Sequence, residues 1–166
     1  MEFNREKFKV VLSYIISRCE NKKNVGKTVL CKLLYFSDFN YYEKYECPIT
    51  NETYLKYDRG PYPTHFDSII DEMIGEGILN VKKEPYYGTT IHKHYLNVVP
   101  DLSLLNTKEL SVINDVIDEL SVKSANDISE YSHGDMPWMI AEDNDELDYE
   151  FVFYRDPEYS VRDYGN

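Results

Sequence analysis

The four histidines of this chain are its first candidates for metal chemistry. His92 and His94 are two residues apart in a segment predicted to be a β-strand, so their side chains should face the same side. Such a pair can begin a zinc site, but it needs further ligands, and His65 and His133 lie in other predicted segments. A metal hydrolase using His92 and His94 is one hypothesis. We favour the interpretation that they are two exposed histidines on a hairpin, with no metal and no cofactor.

The sequence contains no known motif for nucleophilic catalysis or for phosphate binding. The three cysteines, Cys19, Cys31 and Cys47, form no CxxC pair and lie beside apolar residues in or at the ends of predicted helices. The chain lacks GxSxG, GxGxxG and GxxxxGK[ST]; the VGKT at residues 25–28 has no upstream glycine or preceding strand. We therefore expect a protein that is not an enzyme and whose thiols are unpaired and reduced.

Charge is distributed unevenly along the 166 residues, whose formal net charge is −12. Residues 1–60 carry +3, residues 61–99 carry −2 and residues 100–166 carry −13. Such an acidic surface repels phosphate backbones and attracts a basic partner, although an acidic tail can also serve solubility alone. Sixteen tyrosines favour a recognition surface as well, because tyrosine is enriched at protein interfaces.

Apolar spacing predicts two N-terminal helices. A single apolar stripe indicates a helix over residues 4–20, and the run from Lys27 to Tyr45 is apolar nearly all round, which is typical of a central buried helix. The first residues lack the apolar core of a signal peptide, and the longest apolar stretch, VVLSYII, is too short to span a bilayer. We expect a cytoplasmic protein with no membrane contact.

The middle of the chain suggests a helix followed by a hairpin. ETYLKY (52–57) predicts a short strand, and YDRGPYPTHF (57–66) predicts mainly a rigid turn. The Thr64–Asp67 spacing predicts a capping box that begins a helix, after which residues 78–84 and 90–99 form a hairpin around PYYG. A helix followed directly by a hairpin is typical of a winged-helix arrangement.

Two further helices follow the hairpin. Asn106 with Glu109, and Ser124 with Asp127, have the capping spacing before helical patterns, and residues 148–159 could form a strand or an extended arm. The fold class predicted is therefore α+β, mostly helical: a single compact domain with a winged-helix-like antiparallel hairpin.

DNA binding is an alternative function, in which a winged-helix regulator binds its own operon. The helix that would enter the groove, within THFDSIIDEMIGEG, has four acidic residues and no lysine or arginine. The hairpin offers only Lys82, Lys83 and Lys93. Because phosphate contacts need positive charge at that surface, nucleic acid is a disfavoured partner.

Four ordered segments resemble one known family. CKLLYFSDFNYY, ITNETYLKYDRGPYP, HFDSIIDEMIGEGIL and DISEYSHGDMPW follow its pattern of K-L-[LI]-Y, then Y-x-x-G-P, then S-x-x-[ST]-H-x-x-x-P-W, over roughly residues 8–140. By these motifs the chain resembles the Panacea domain family, which includes the SocA-like antitoxins. The motif positions, which we interpret as mainly structural, are Lys32, Tyr35, Tyr57, Arg59, Gly60, Pro61, His133, Pro137 and Trp138.

The resemblance implies an antitoxin that neutralises a cognate protein toxin by direct binding and has no catalytic role. The toxin is expected to be encoded by a neighbouring gene. We expect residues 1–141 to form the Panacea-like domain, with the acidic C-terminal segment, residues 142–166, packed on it or extending from it. From the charge asymmetry we predict that this segment contacts the toxin through Asp143, Asp145, Glu146, Asp148, Tyr149 and Phe151.

Overall fold

A computed structural model describes residues 2–165. The described chain contains six α-helices, four β-strands and one 3₁₀ helix. In chain order they are α1 (Arg5–Cys19), α2 (Lys27–Tyr45), β1 (Tyr54–Tyr57), β2 (Gly60–Pro63), α3 (Phe66–Gly75), β3 (Leu79–Tyr86), β4 (Thr89–Leu96), α4 (Thr107–Leu120), α5 (Ala125–His133), α6 (Met136–Ile140) and the 3₁₀ helix (Tyr149–Tyr154). This is the α+β, mostly helical fold that the sequence predicted.

Helix α2 is the centre of the core, as its all-round apolar pattern predicted. Leu33, Tyr35 and Phe39 are fully buried, and α1, α4, α5, β2 and the 3₁₀ helix all pack around it. The helix ends at Glu46, which adopts a left-handed conformation (φ 60°) and donates its N–H to the carbonyl of Tyr42. Every element described below is therefore positioned relative to α2.

Local capping signals located two helices correctly. Asn106 accepts from the Glu109 amide at 2.8 Å and the Glu109 carboxylate accepts from the Asn106 amide at 2.9 Å, which is the predicted capping box of α4. Ser124 accepts from the Asp127 amide at 3.1 Å and begins α5. Both caps depend only on residues three apart in the chain, which is why they are visible in the sequence.

The β3–β4 hairpin confirms the prediction, but the chain also has a second hairpin that was missed. In β1–β2, Tyr57 pairs with Gly60 and Tyr54 pairs with Pro63. The prediction of a turn over residues 57–66 was therefore wrong for residues 60–63. A two-stranded ribbon has only edge strands, where a proline needs no partner for its missing N–H.

The predicted Thr64–Asp67 capping box was also wrong. Helix α3 begins at Phe66, and its N-cap residue, His65, makes no side-chain capping bond. The Thr64 hydroxyl instead donates to Glu52 at 3.1 Å, and the Asp67 carboxylate accepts from Lys27 at 2.8 Å. Tertiary partners thus take both side chains that the local pattern assigned to the cap.

The last part of the chain is neither a strand nor a free arm. Asn144 donates its N–H to the carbonyl of Lys56, and Leu147 donates to that of Tyr54, both at 2.8 Å, so the segment runs along β1. It then forms the 3₁₀ helix, in which Val152 is fully buried. Of the two arrangements predicted for the acidic C-terminal segment, the structure has the packed one.

A buried ionic network fixes this segment to the body. The Arg155 side chain is fully buried and donates from Nε and Nη2 to the two Asp135 oxygens, each at 2.8 Å. Its Nη1 donates to Glu43 at 3.0 Å and to Asn40 at 2.8 Å, both on α2. Burial alone would lower the pKa of Arg155, but the charge and hydrogen bonds of Asp135, with the Glu43 charge, hold it above its ordinary value.

Another buried carboxylate, that of Asp38, lies where β1 meets α2. Asp38 accepts from the Thr50 amide at 2.8 Å, from the Thr50 hydroxyl at 2.6 Å and from the Tyr54 hydroxyl at 2.8 Å. Burial raises the pKa of Asp38 to about 6, although these three hydrogen bonds act in the opposite direction. The contacts hold β1 against the central helix.

We predict that Arg155→Met lowers the free energy of unfolding by about 3–5 kcal/mol, because it leaves Asp135 and Glu43 buried without their cation. The matched control is Arg162→Met, whose ion pair with Glu46 at 3.3 Å is partly exposed and should contribute about 1 kcal/mol or less. Urea unfolding followed by circular dichroism measures both. Equal losses in the two variants would contradict the role assigned to the network.

Candidate functional site

Residues of the K-L-L-Y and Y-x-x-G-P motifs meet at one cavity. It has a volume of about 480 Å³, is open to solvent, and lies between the start of α2 and the β1–β2 hairpin. We call it the motif pocket, and its lining includes Lys27, Cys31, Lys32, Tyr57, Asp58, Arg59, Gly60, Tyr62 and Asn144. Motifs some 25 residues apart in the sequence thus share one surface feature.

Gly60 allows the hairpin to lie directly on the helices. Its φ of +113° is in a region that L-residues rarely adopt. A Cβ at this position would be 2.3 Å from the Ser132 hydroxyl and 2.6 Å from Cε of Lys32. Glycine is therefore required both by the backbone conformation and by the close approach of α2 and α5, and the next residue, Pro61, is buried in the same contact.

Lys32 is a buried cation at this pocket. Its exposed fraction is 3%, and within residues 2–165 it makes no hydrogen bond and no ion pair. Burial lowers the pKa of Lys32, and the neighbouring positive charge of Arg59 acts in the same direction. Nζ of Lys32 is not among the fully buried side-chain atoms that lack a partner, so the ammonium opens onto the pocket while the rest of the side chain is buried. A mostly buried cation with no internal partner is unusual, because buried charges are normally paired.

Arg59 and Lys27 complete the positive side of the pocket, but they differ in their pairing. Lys27 contacts Asp67 at 2.8 Å, and the Tyr62 hydroxyl also donates to Asp67, at 2.5 Å. Arg59 is exposed on the hairpin turn and has no partner in the described part of the chain. Within the described residues it therefore makes no hydrogen bond or ion pair that would hold the hairpin in place.

Helices α5 and α6 form one wall beside the pocket. His133 stacks on Trp138 with ring centroids 4.3 Å apart, and the Trp138 indole N–H donates to the carbonyl of Tyr57 at 3.2 Å. Nζ of Lys56 lies 4.2 Å from the centroid of the Trp138 ring. Nε2 of His133 is buried and has no hydrogen-bond partner within residues 2–165.

Exposed apolar side chains continue from this wall. Tyr57 is 41% exposed, Met139 is 51% exposed and Ile140 is 46% exposed. We call Tyr57, Trp138, Met139 and Ile140, together with the motif pocket, the contact face. The sequence analysis missed Met139 and Ile140, for which the only signal is their position directly after the P-W motif.

The residues predicted for toxin contact divide into two groups. Asp143, Asp145, Glu146 and Asp148 are exposed and follow the edge of β1 next to the contact face; we call them the acidic rim. Tyr149 packs inward instead, stacking on Phe39 with centroids 4.1 Å apart, and Phe151 is half-buried. The acidic rim presents its side chains to solvent, whereas Tyr149 and Phe151 present little.

The histidines do not assemble a site. His92 is exposed, while His94 is buried and its Nδ1 lies 3.1 Å from the carbonyl of His92; burial lowers the pKa of His94 to about 4. His65 pairs with Glu52 at 2.6 Å. The prediction of two exposed histidines on the hairpin was therefore wrong for His94. Among residues 2–165 no group of three or more His, Cys, Asp or Glu side chains could hold a metal ion.

One family matches the chain. Residues 30–139, more than half of the sequence, match the family described as antitoxin SocA-like, Panacea domain. The match begins in α2 and ends in α6, so it includes most of the residues that line the motif pocket, while Lys27, Thr28 and Asn144 lie outside it. No curated protein and no solved structure matches the chain. In the part of the chain that the structure describes, no helix is long and apolar enough to cross a membrane.

We predict that Gly60→Ala lowers the free energy of unfolding by about 2–4 kcal/mol, because it adds a clash with Ser132 and Lys32 to the backbone strain. Gly77→Ala is the control: its φ is +76°, and a Cβ there meets nothing within 4 Å. The control should therefore lose only about 1–2 kcal/mol from strain. Chemical denaturation of both variants gives the comparison, and equal losses would argue against the close contact.

Proposed function

This chain belongs to the SocA-like antitoxin family of Panacea domains, and from that premise we propose that it neutralises a cognate protein toxin by direct binding, without catalysis. The observation that carries the proposal is the family match over residues 30–139. The toxin gene is expected to lie beside the gene for this protein. Binding is expected to block the toxin by covering or distorting its active surface.

We further propose that the contact face is where the toxin binds. It combines exposed Tyr57, Met139 and Ile140 with the partly exposed Trp138, and buried aromatic anchors supply much of the binding energy in protein interfaces. The indole is held in place by its bond to Tyr57 and its stack on His133. A rigid aromatic side chain loses little conformational entropy on binding, which favours affinity.

The acidic rim would then steer the toxin towards the contact face. Its four carboxylates are solvent-exposed and lie within six consecutive residues, and none makes an ion pair within the described residues. Asp148 also accepts from the Glu150 amide at 2.9 Å, which caps the 3₁₀ helix. Complementary charge mainly raises association rates, so the rim suits a toxin with a basic patch.

The contacts around the hairpin give less support to the DNA-binding alternative. Exposed Asp67 and Asp71 are on α3, the helix that would have to approach the phosphates. Lys93, one of the three hairpin lysines, is buried and donates to the carbonyls of Lys22 at 2.8 Å and Val25 at 3.0 Å. A salt-sensitive shift of upstream DNA by the isolated protein would favour the alternative.

Co-expression tests the proposed function directly. Each gene adjacent to the one for this chain is expressed alone and together with it, and growth rescue is scored with co-purification. A neighbour that is toxic alone, and harmless in a stable complex with this protein, supports the proposal. Rescue without complex formation would contradict direct binding.

We predict that Met139→Ser with Ile140→Ser weakens toxin binding by about tenfold or more, because both side chains lose apolar contact at the proposed interface. The control is Val98→Ser with Val99→Ser, which changes two exposed apolar residues in another loop. Both pairs are exposed, so folding should be preserved. Biolayer interferometry with the purified toxin measures the affinities; equal affinities for the two variants would exclude this face.

We predict that neutralising the acidic rim slows association. Asp143→Asn, Asp145→Asn and Glu146→Gln together should reduce the association rate constant by about tenfold at low salt, and less at high salt. The control changes three other exposed acids, Asp115→Asn, Glu119→Gln and Glu130→Gln. Deletion of residues 142–166 is unsuitable because it also removes Arg155. Stopped-flow kinetics would contradict steering by the rim if the two variants associate equally fast.

A further inference from the structure

We propose that the motif pocket is a binding site for an oxyanion, a carboxylate or phosphate group, which Lys32 and Arg59 hold together. This inference does not depend on the proposed antitoxin function, because it concerns the isolated protein. It is carried by three observations: a buried cation without a partner, a second unpaired cation at the same cavity, and a backbone arrangement that fixes the first one in place.

Lys32 is the exception among the buried charged side chains of residues 2–165. Each of the others has partners: Arg155 pairs with Asp135 and Glu43, and Glu109 pairs with Lys7. The remaining ones also have hydrogen bonds, Asp38 to Thr50 and Tyr54, Glu52 to His65, and Lys93 to backbone carbonyls. Because every other buried charge has a partner inside the protein, we infer that the partner of Lys32 is an external group that binds to it.

The second cation lies at the same opening. Arg59 lines the pocket, is exposed, and has no partner in the described chain, so its planar guanidinium is free to bind an oxyanion through two parallel hydrogen bonds. Lys27, the third cation there, is already paired with Asp67. Asp58 is the acid at the pocket, and it bonds neither Lys32 nor Arg59. Two unpaired like charges at one cavity repel each other until an anion binds between them.

The position of Lys32 is preset. Gly60 packs on its side chain so closely that a Cβ there would be 2.6 Å from Cε, and the lysine stem is thereby held under the hairpin. Buried Pro61 limits the flexibility of the strand that covers it. The 480 Å³ cavity accommodates an anionic group with part of the molecule that carries it. Preorganised charges of this kind bind without the cost of ordering a flexible side chain.

Anion titrations test the proposal on the full chain. Inorganic phosphate and acetate are added separately to ¹⁵N-labelled protein, with chloride at equal ionic strength as the reference, and amide shifts are followed by NMR. We expect saturable shifts at Lys32, Arg59 and Gly60 with at least one of the two anions. The one that saturates distinguishes a phosphate ligand from a carboxylate ligand.

Three variants locate the binding. Lys32→Met keeps the aliphatic stem and removes the charge, and Arg59→Gln changes an exposed residue; each should weaken anion binding by about tenfold or more. Lys83→Met removes an exposed charge on the other hairpin and should bind like the natural sequence. Without anion, Lys32→Met should also raise the melting temperature, because it removes the unpaired buried charge.

Two results would overturn the proposal. One is the absence of saturable shifts around the pocket with both phosphate and acetate. The other is equal anion affinity of Arg59→Gln and Lys83→Met, which would show that general charge, rather than this pocket, attracts the anion. Because Arg59 is exposed, this second comparison remains decisive even if Lys32→Met fails to fold. Neither result bears on toxin neutralisation, which has its own test.

Discussion

The buried pairing of Arg155 with Asp135 and Glu43 is the interaction on which the geometry of the contact face depends. Asp135 has three roles at once: it accepts from Arg155, accepts the Tyr35 hydroxyl of α2 at 2.7 Å, and caps α6 through the Met136 amide at 3.1 Å. It therefore sets where α6 begins, and α6 carries Trp138. Leaving a buried charge unpaired costs free energy, so Arg155 and Asp135 must move together. A small displacement of the C-terminal segment would therefore shift α6 and with it the contact face.

The same network connects the acidic rim to the body. Residues 144–147 bond to the edge of β1, and the 3₁₀ helix and Arg155 then pack against α2. Ser160 and the Val161 amide bond Glu43, which extends the contact towards the end of the chain. The acidic rim is thus held in fixed register beside the motif pocket, and its charges act from defined positions. A freely moving tail would spread the same charge over a larger volume.

Local signals in the sequence were sufficient for helices α1 to α5 and one hairpin, whereas α6 was not predicted. Capping at Asn106 and the apolar stripe of α1 depend on residues three or four apart, so they can be recognised without a structure. The β1–β2 hairpin was missed because Pro61 and Pro63 mark a turn in most contexts, and only a two-stranded ribbon tolerates them so readily. The Thr64–Asp67 cap failed because distant partners, Glu52 and Lys27, take the two side chains that the local pattern assigned to it.

The motif pocket could not be predicted from the sequence, because its unusual feature is the missing partner of Lys32, and no sequence motif signals a missing contact. K-L-L-Y predicts a buried helix correctly, yet only the three-dimensional structure shows that Lys32 is buried against Gly60 and has no internal partner within the described residues. The resulting surface has positive charge in a cavity and negative charge along a neighbouring edge. A toxin with a basic patch would be attracted by the rim, but it would dock in one orientation only if it also offered an anionic group to the pocket. In the proposed complex, opposite charges side by side would therefore select orientation as well as partner, because a rotated partner would meet like charge at both places.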